Sequence, residues 1–480
     1  MRWEDKAIKY MTKLSIDKLK DEQHQVIYEL LIGNDVIGLL PTGYGKSLCY
    51  ILPPLLKRKI IFVISPLISL MDEQCNKLNN CDIKACALNT NNNKKHNDIK
   101  DIIDGKIKIV FMSPEYLISY GLDLANILIE NDLLGYLAVD ECHCVSVWGQ
   151  DFRNEYKNIN IFRNNFPDIP ILALTATATN NICSDVIKYL SLKNPSIVRA
   201  SFDRPNLEIK MIQYNPKSKK QIVMSLVKKY NNSKIIIYTH TRDETDKLAN
   251  ELCKVGVKCK SYHAGLSKEN RQQVQEDFNN NICNIIISTI AFGMGIDQKI
   301  RCVIIFGFPS SIEEYYQQIG RAGRDGLPSE TILYYDYSCY RKREYGLKNL
   351  DDKKLLNAKI ECLSKMKNLV YLKTCRRRFI LDYFDEEITF INCNNCDNCS
   401  KELVDISQDI INSKTFEDIN KLFTTNLGIN NLMFRWRKWI KNKKSLKENE
   451  RFKVPKECLK VSSLNDDFEN KISNYEKLLN

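Results

Sequence analysis

Four groups of residues in this chain have the types and spacings that chemistry needs. The run Leu39–Ser47 reads LLPTGYGKS. Gly43 and Gly45 allow backbone N–H groups to turn toward a polyphosphate, Lys46 supplies a cation for its β- and γ-phosphates, and Ser47 offers a hydroxyl to Mg²⁺. A helix beginning directly after the loop adds the positive end of its dipole. Leu40 stands where the strict pattern wants glycine, so Leu40, Pro41, Thr42 and Tyr44 make a variant of the loop. The bland alternative is a glycine turn before a buried helix; the strand–loop–helix context favours a nucleotide. Further along, Asp140 and Glu141 close an apolar run, and an NTPase needs an acidic metal holder at such a strand end. Asp140 is expected to hold Mg²⁺, directly or through water, and Glu141 to orient and activate the attacking water. Alone, an Asp-Glu pair is more often a solvated turn. Beside Lys46 and Ser47 that reading recedes.

The third group is Tyr315–Gly326, YYQQIGRAGRDG, which supplies Gln317, Arg321 and Arg324 to the expected catalytic set. Read as a helix, it puts the two arginines on one face, able to reach a γ-phosphate across a cleft. Surface arginines on an ordinary helix are the alternative. The fourth group is Cys375 with Cys393-x-x-Cys396-x-x-Cys399. Four thiolates at this spacing suit tetrahedral structural Zn²⁺, with the distant Cys375 inferred as the fourth ligand; buried or redox-active thiols are the alternative.

Parallel strands should position these groups. Apolar runs recur at Val36–Leu40, Ile60–Ile64, Ile107–Met112, Tyr136–Val139 and Ile171–Leu174. A second set lies at Lys234–Tyr238, Asn284–Ile287, Cys302–Phe306 and Thr331–Tyr335. Continuous apolar strands alternating with helices make parallel sheets covered on both faces, with ligands at the carboxyl ends of strands. The polar segments PTGYGKS, SPLISL, SPEYL, DECH and TATAT each follow such a strand. The reading is an α/β chain of two lobes, 1–200 and 201–345, with a zinc-binding domain at 346–402 and a basic region at 403–480. In the last, Leu432, Met433, Trp436, Trp439 and Ile440 have the spacing of a core-packed amphipathic helix, favoured over a DNA wedge.

Composition narrows the class. The 480 residues carry a net charge of +12, which suits a polyanionic partner without identifying one. No apolar leader opens the chain and no apolar run reaches membrane-spanning length, so an intracellular protein, nuclear or cytoplasmic and without a membrane partner, is expected. Eighteen cysteines then belong to a reducing compartment; Cys49, Cys183, Cys253 and Cys302 read as core residues.

From about Leu19 to Cys399 the motifs, in order, resemble the RecQ family of superfamily 2 helicases. Leu19-Lys20-Asp21-Glu22-Gln23 resembles its motif 0, whose glutamine reads adenine, which implies Lys20 and Gln23 as base-side contacts. Ser65–Met71 resembles motif Ia, Ser113-Pro114-Glu115 the next DNA-facing motif, and Thr175-Ala176-Thr177 motif III. Phe202–Asn206 matches the segment opening the second lobe, Tyr262–Leu266 a further family segment, Ala291–Asp297 motif V and the arginine run motif VI. Cys144–Arg153, after DECH, resembles the aromatic-rich loop that couples strand binding to hydrolysis, which implies coupling roles for His143, Trp148, Phe152 and Arg153. Trp148 and Phe152 could stack bases, although such a pair is usually core. This chain departs from the family at Lys20 for Arg, Tyr44 for a third loop glycine, Cys142 for Ala, Val147 and Gln150 in the aromatic loop, and Ile305 and Gly307 after motif V.

The resemblance implies two tandem RecA-like lobes followed by a helical zinc-binding module. It also implies an ATP-dependent DNA helicase with ATP, Mg²⁺ and Zn²⁺ as cofactors. Single-stranded and forked DNA are the implied partners, and 3′→5′ translocation in replication, recombination or repair the implied activity. An RNA helicase of the same superfamily is one rival, and a binding or annealing protein with a nucleotide switch is another.

Overall fold

The computed structural model describes residues 3–89, 95–146, 148, 153–177, 179–230, 233–290, 292, 298–347 and 351–399. Two parallel sheets carry the fold. The first contains β1 (Val36–Leu39), β2 (Ile60–Ile64), β3 (Ala85–Leu88), β4 (Ile109–Met112), β5 (Leu134–Val139), β6 (Ile171–Thr175) and β7 (Ser196–Arg199), in the order β3-β4-β2-β5-β6-β1-β7. The second contains β8 (Leu207–Gln213), β9 (Lys234–Tyr238), β10 (Cys259–Tyr262), β11 (Ile285–Ser288), β12 (Ile300–Phe306) and β13 (Ser329–Tyr335), in the order β10-β11-β9-β12-β13-β8. Both are the two α/β lobes expected, followed by a helical region with a cysteine cluster.

The central strands are mostly apolar because both faces of each sheet are covered; Lys234, Arg301 and Glu330 are their charged exceptions. Alternate side chains point to opposite faces. Phe62 and Ile64 of β2 join one core, Ile61 and Val63 the other. In the second sheet Ile236 and Tyr238 join the first of those cores, and Ile235 and Ile237 a separate one. The shared core runs on into Leu363, Met366, Ile380 and Phe384 of the cysteine region, so both lobes and that region meet on one apolar mass.

The structure differs from the sequence reading in three places. Strands β3, β7, β8 and β10 were not among the apolar runs, and they are the outermost strands of the two sheets. Of these, β8, LEIKMIQ, alternates buried and half-buried positions before becoming exposed, whereas β3, ACAL, is buried at all four positions but is short and mostly small-sided. The arginine run is not one helix. The helix Ile312–Ile319 is capped by Gly320, and the chain then turns to pair with β12, Gly323 N–H donating to Ile300 O at 3.0 Å. Arg204 and Asn206 take up the carbonyls of Ala322 and Gly323, so those groups are not available to continue a helix. Cys253 is exposed at a helix end rather than part of a core, with its sulfur 3.6 Å from that of Cys259. Among the described residues no helix is long and apolar enough to cross a membrane. Phe152, Val147, Gln150, most of Ala291–Asp297 and the whole of 400–480 lie outside the described residues.

Candidate nucleotide cleft, coupling loop and metal site

The phosphate loop leaves β1 and enters the helix Ser47–Lys57. Gly43 and Gly45 adopt φ of +82° and +88°, a left-handed backbone that lets two successive turns present N–H groups to one point. Leu40 and Pro41 are buried, Leu40 N–H donating to Thr175 O at 3.0 Å, so the loop starts from a fixed base. Lys46 and Ser47 stand at the helix start.

Asp140 and Glu141 follow β5, next to β2 and β6 in the sheet and two strands from β1. Lys46 Nζ lies 3.6 Å from Glu141 Oε1, and His143 Nδ1 lies 3.4 Å from Glu141 Oε2 and 2.9 Å from Thr175 Oγ1. Burial pushes the Asp140 carboxyl up to about 6; the Glu141 charge adds to this and Lys46 opposes it. Burial also works against the charge on Glu141, but Lys46, His143 and Arg321 outweigh it and hold that carboxyl below its ordinary value. The two neighbouring carboxyls are therefore shifted in opposite directions, Asp140 up and Glu141 down.

The second lobe closes over this loop. A Cβ on Gly43 would meet Arg324 Cγ at 3.0 Å, and one on Gly320 would meet Thr42 Cβ at 3.3 Å. Arg321 is buried, with its charge felt at Glu141 and at Tyr238. Gln317 stands half-buried on the last turn of the preceding helix. Sequence reasoning gave no role to Glu73, on the helix Ile68–Asn80, which faces both arginines from the first lobe. It also gave none to Arg204 and Asn206 as holders of the arginine turn. Arg204 NH2 donates to Ala322 O at 3.0 Å and to Gly323 O at 2.8 Å, and Asn206 Nδ2 to Gly323 O at 2.8 Å. The one available signal was their position just where the second lobe begins.

On the base side, Gln23 Nε2 donates to Tyr44 O at 2.9 Å and Gly45 O at 3.0 Å, while its Oε1 accepts from Lys20 N–H at 2.9 Å. Lys20 Nζ sits 3.9 Å above the Tyr44 ring. In the coupling loop Trp148 is half-buried against the shared core, its N–H donating to Ser146 Oγ at 3.2 Å, and Ser146 in turn donates to Asp185 at 2.6 Å. Arg153 reaches back to the motif Ia loop, donating to Pro66 O at 2.8 Å.

Cys375, Cys393, Cys396 and Cys399 bring their sulfurs within 4.8 Å of one another. A tetrahedral zinc with Zn–S of about 2.3 Å implies S···S of about 3.8 Å, so the donor set fits. Cys375 caps the helix Arg376–Tyr383, its sulfur accepting from Arg378 N–H at 3.4 Å, and Cys393 accepts from Asn395 N–H at 3.4 Å. The knuckle adds to the open side of β8: Asp397 N–H donates to Ile209 O at 2.9 Å and Ile209 N–H to Asn395 O at 3.2 Å. That covers an otherwise free sheet edge.

Comparison with known proteins agrees with this geometry. A DEAD/DEAH box helicase model matches residues 20–184, a helicase conserved C-terminal domain 218–326, and a RecQ zinc-binding model 341–400. The protein R290 of Acanthamoeba polyphaga mimivirus, provisionally named an ATP-dependent RNA helicase, is 38% identical over 437 residues, 88% of this chain and 79% of its own length. The ATP-dependent DNA helicase RecQ of Haemophilus influenzae is 36% identical over 407 residues, 82% of this chain but 64% of its own length. Mouse WRN, a bifunctional 3'-5' exonuclease/ATP-dependent helicase, is 36% identical over 80% of this chain, which spans 28% of that protein. Among solved structures, the helicase MrfA bound to DNA and AMPPNP superposes with a TM-score of 0.58 at 20% identity, over 74% of this chain and 55% of its own. Yeast Dbp5 bound to RNA and ADP BeF3 superposes at 0.54 and 16% identity, over 75% of this chain and 96% of its own, and both speak for the fold alone. The helicase models carry ATP use with them, and the zinc-binding model covers the four-cysteine cluster. With three domain matches in this order and relatives sharing over a third of its residues, the chain belongs to the RecQ family of ATP-dependent DNA helicases.

Proposed function

We propose that the chain hydrolyses ATP between its lobes, 1–200 and 201–345, and uses the cycle to move 3′→5′ along single-stranded DNA, opening forks. The observation that carries this is the convergence of Lys46 and Glu141 with Arg321, and of Arg324 with Gly43, across the interlobe cleft. Lys46 and the loop N–H groups bind the polyphosphate. Glu141, ionised and held between Lys46 and His143, takes the proton of the attacking water, while Arg321 and Arg324 offset the charge that builds on the transferred group. Ser47 and Asp140 would hold Mg²⁺, which neutralises the β- and γ-oxygens when bound. Gln317, on the turn leading to those arginines, belongs to the same set. His143, with one nitrogen near Glu141 and Thr175, ties hydrolysis to the Trp148 and Arg153 loop. Forked DNA is the substrate that family membership favours, and the cysteine module at 346–402, loaded with zinc, is structural because a four-sulfur site leaves no position open for water. An RNA substrate is the second reading, raised by the name of R290.

The test is ATPase stimulation by single-stranded DNA against RNA, together with unwinding of forked DNA carrying either a 3′ or a 5′ tail. DNA stimulation and 3′-tail dependence are expected, and Trp148→Ala should weaken stimulation about tenfold, the scale of one stacking contact. Preference for RNA, or for 5′ tails, would overturn the proposal.

A further inference from the structure

The turn that carries Arg321 and Arg324 is held from behind, and the hold leads out of the second lobe. Two consecutive carbonyls, those of Ala322 and Gly323, stand between the two arginines in the chain. Arg204 NH2 donates to both, at 3.0 and 2.8 Å, and Asn206 Nδ2 donates to the second at 2.8 Å. A Cβ on Gly323 would collide with that Asn206 nitrogen, so the turn sits directly on its holders. Among the described residues the half-buried Arg204 donates only to neutral oxygens, the third being Asn206 Oδ1 at 3.4 Å. One planar nitrogen with a hydrogen on each of two carbonyls fixes both the height and the tilt of the turn.

Arg204 is itself held by the cysteine module. Arg377 is buried in the first turn of the helix Arg376–Tyr383, two residues after the Cys375 that caps it. Its guanidinium donates to the Asp203 carboxylate at 2.9 Å and to the carbonyls of Arg204 and Leu207. The carbonyl of Arg204 thus faces the module while its side chain faces the arginine turn. Hydrogen bonds run without a break from the capped helix through Arg377 and Arg204 to Ala322 and Gly323. Groups that act on a transferring phosphoryl must be placed closely, and an error of about 1 Å costs on the order of a hundredfold in rate.

We propose that Arg204 is a positioning residue for the catalytic arginines and that Arg377 acts through it, so the cysteine module braces the charge clamp as well as its own fold. The inference rests on the ATP-site reading above. The experiment measures steady-state ATP turnover, and binding of fluorescent mant-ADP with and without aluminium fluoride, which mimics the phosphoryl group in transfer. Arg204→Ala should lower kcat about tenfold, the scale of one hydrogen bond from a charged donor, with KM for ATP within about twofold. Its affinity for mant-ADP alone should match wild type, while the gain from aluminium fluoride shrinks about tenfold. Arg204→Lys keeps the charge without the fork and should fall between, and it carries the same readouts if Arg204→Ala does not fold. Arg377→Lys should lose about threefold in kcat with its metal content unchanged. Combined with Arg204→Ala it should add nothing further, because the two act in series. A fall in kcat with the aluminium fluoride gain intact, a rise in KM in place of the fall in kcat, or multiplying losses in the double variant would overturn the proposal. A wild-type chain that turns over no ATP would instead overturn the ATP-site reading, so the two failures are distinct.

Discussion

The nucleotide cleft and the cysteine module are built on opposite plans. The cleft gathers Gln23, Lys46, Glu141, Arg321 and Arg324 from four separate segments that are far apart in the chain. The module gathers four sulfurs from within one stretch, Cys375 to Cys399, and then fastens itself by buried arginines. Arg376 NH2 donates to Asp397 at 3.0 Å, and Arg377 NH1 donates to Asp203 at 2.9 Å and to the carbonyl of Arg204. The module also grips the end of the first lobe and the segment that opens the second: Asn180 N–H donates to Asp385 at 2.9 Å, Arg199 to Phe384 O at 2.7 Å, and Phe202 N–H to Glu386 at 2.7 Å. The cleft is made of long-range parts that meet where two sheets face each other. The module is made of local parts.

The largest expected effect tests the first plan. Glu141→Gln and Lys46→Ala should each lower ATP turnover by about a hundredfold or more while leaving thermal stability close to wild type, because the groups act on a charge that exists only during reaction. Turnover within a few-fold of wild type in both would dissolve the cleft as described. Next, Cys396→Ser should abolish stoichiometric zinc by elemental analysis and expose the region after Leu347 to protease, since metal binding here is folding free energy. Its ATPase should suffer far less than that of Glu141→Gln; equal losses would mean that the two regions are not separable.

The arginine anchor comes third. Arg377→Ala leaves Asp203 and two carbonyls without their donor and should cost about 3 kcal/mol, read as a shift in the urea midpoint with zinc retained. A neutral substitution would move the bracing elsewhere, to Arg376 or the Phe202–Phe384 stack, whose rings lie 4.7 Å apart. The smallest effect concerns His240, outside both regions. Burial, with Arg343, Lys219 and Lys342 adding, pushes its imidazole down to about 3. A depressed histidine contributes stability that is whole above its unfolded pKa of about 6.5 and is lost as pH falls toward the folded value. Stability should therefore drop by about 1–2 kcal/mol between pH 7 and pH 5, and His240→Gln should flatten that slope. An unaltered slope would assign the pH dependence to other groups.

By itself the sequence determined which atoms the chain has for chemistry and roughly where the central strands run. Glycines flanking a lysine, an acidic pair after an apolar run and cysteines at fixed spacing are local patterns, and local patterns survive without a fold. Strands β2 and β9 were legible to the residue because burial on both faces favours a continuous apolar run, IIFVI in the first and, after Lys234, IIIY in the second. Of the edge strands, β7, β8 and β10 were not, because partly exposed positions admit polar residues; β3, ACAL, is buried throughout but is short and built mostly of small side chains. Tertiary structure alone decided the rest. It ended the helix at Gly320 by pairing Gly323 with Ile300, which turns Arg321 and Arg324 over the phosphate loop. It set Arg204 and Asn206 under that turn and Glu73 before it. It also seated the Tyr44 ring on Lys20, a contact between residues that no periodicity relates, since it exists only because the helix start and the loop are packed against each other.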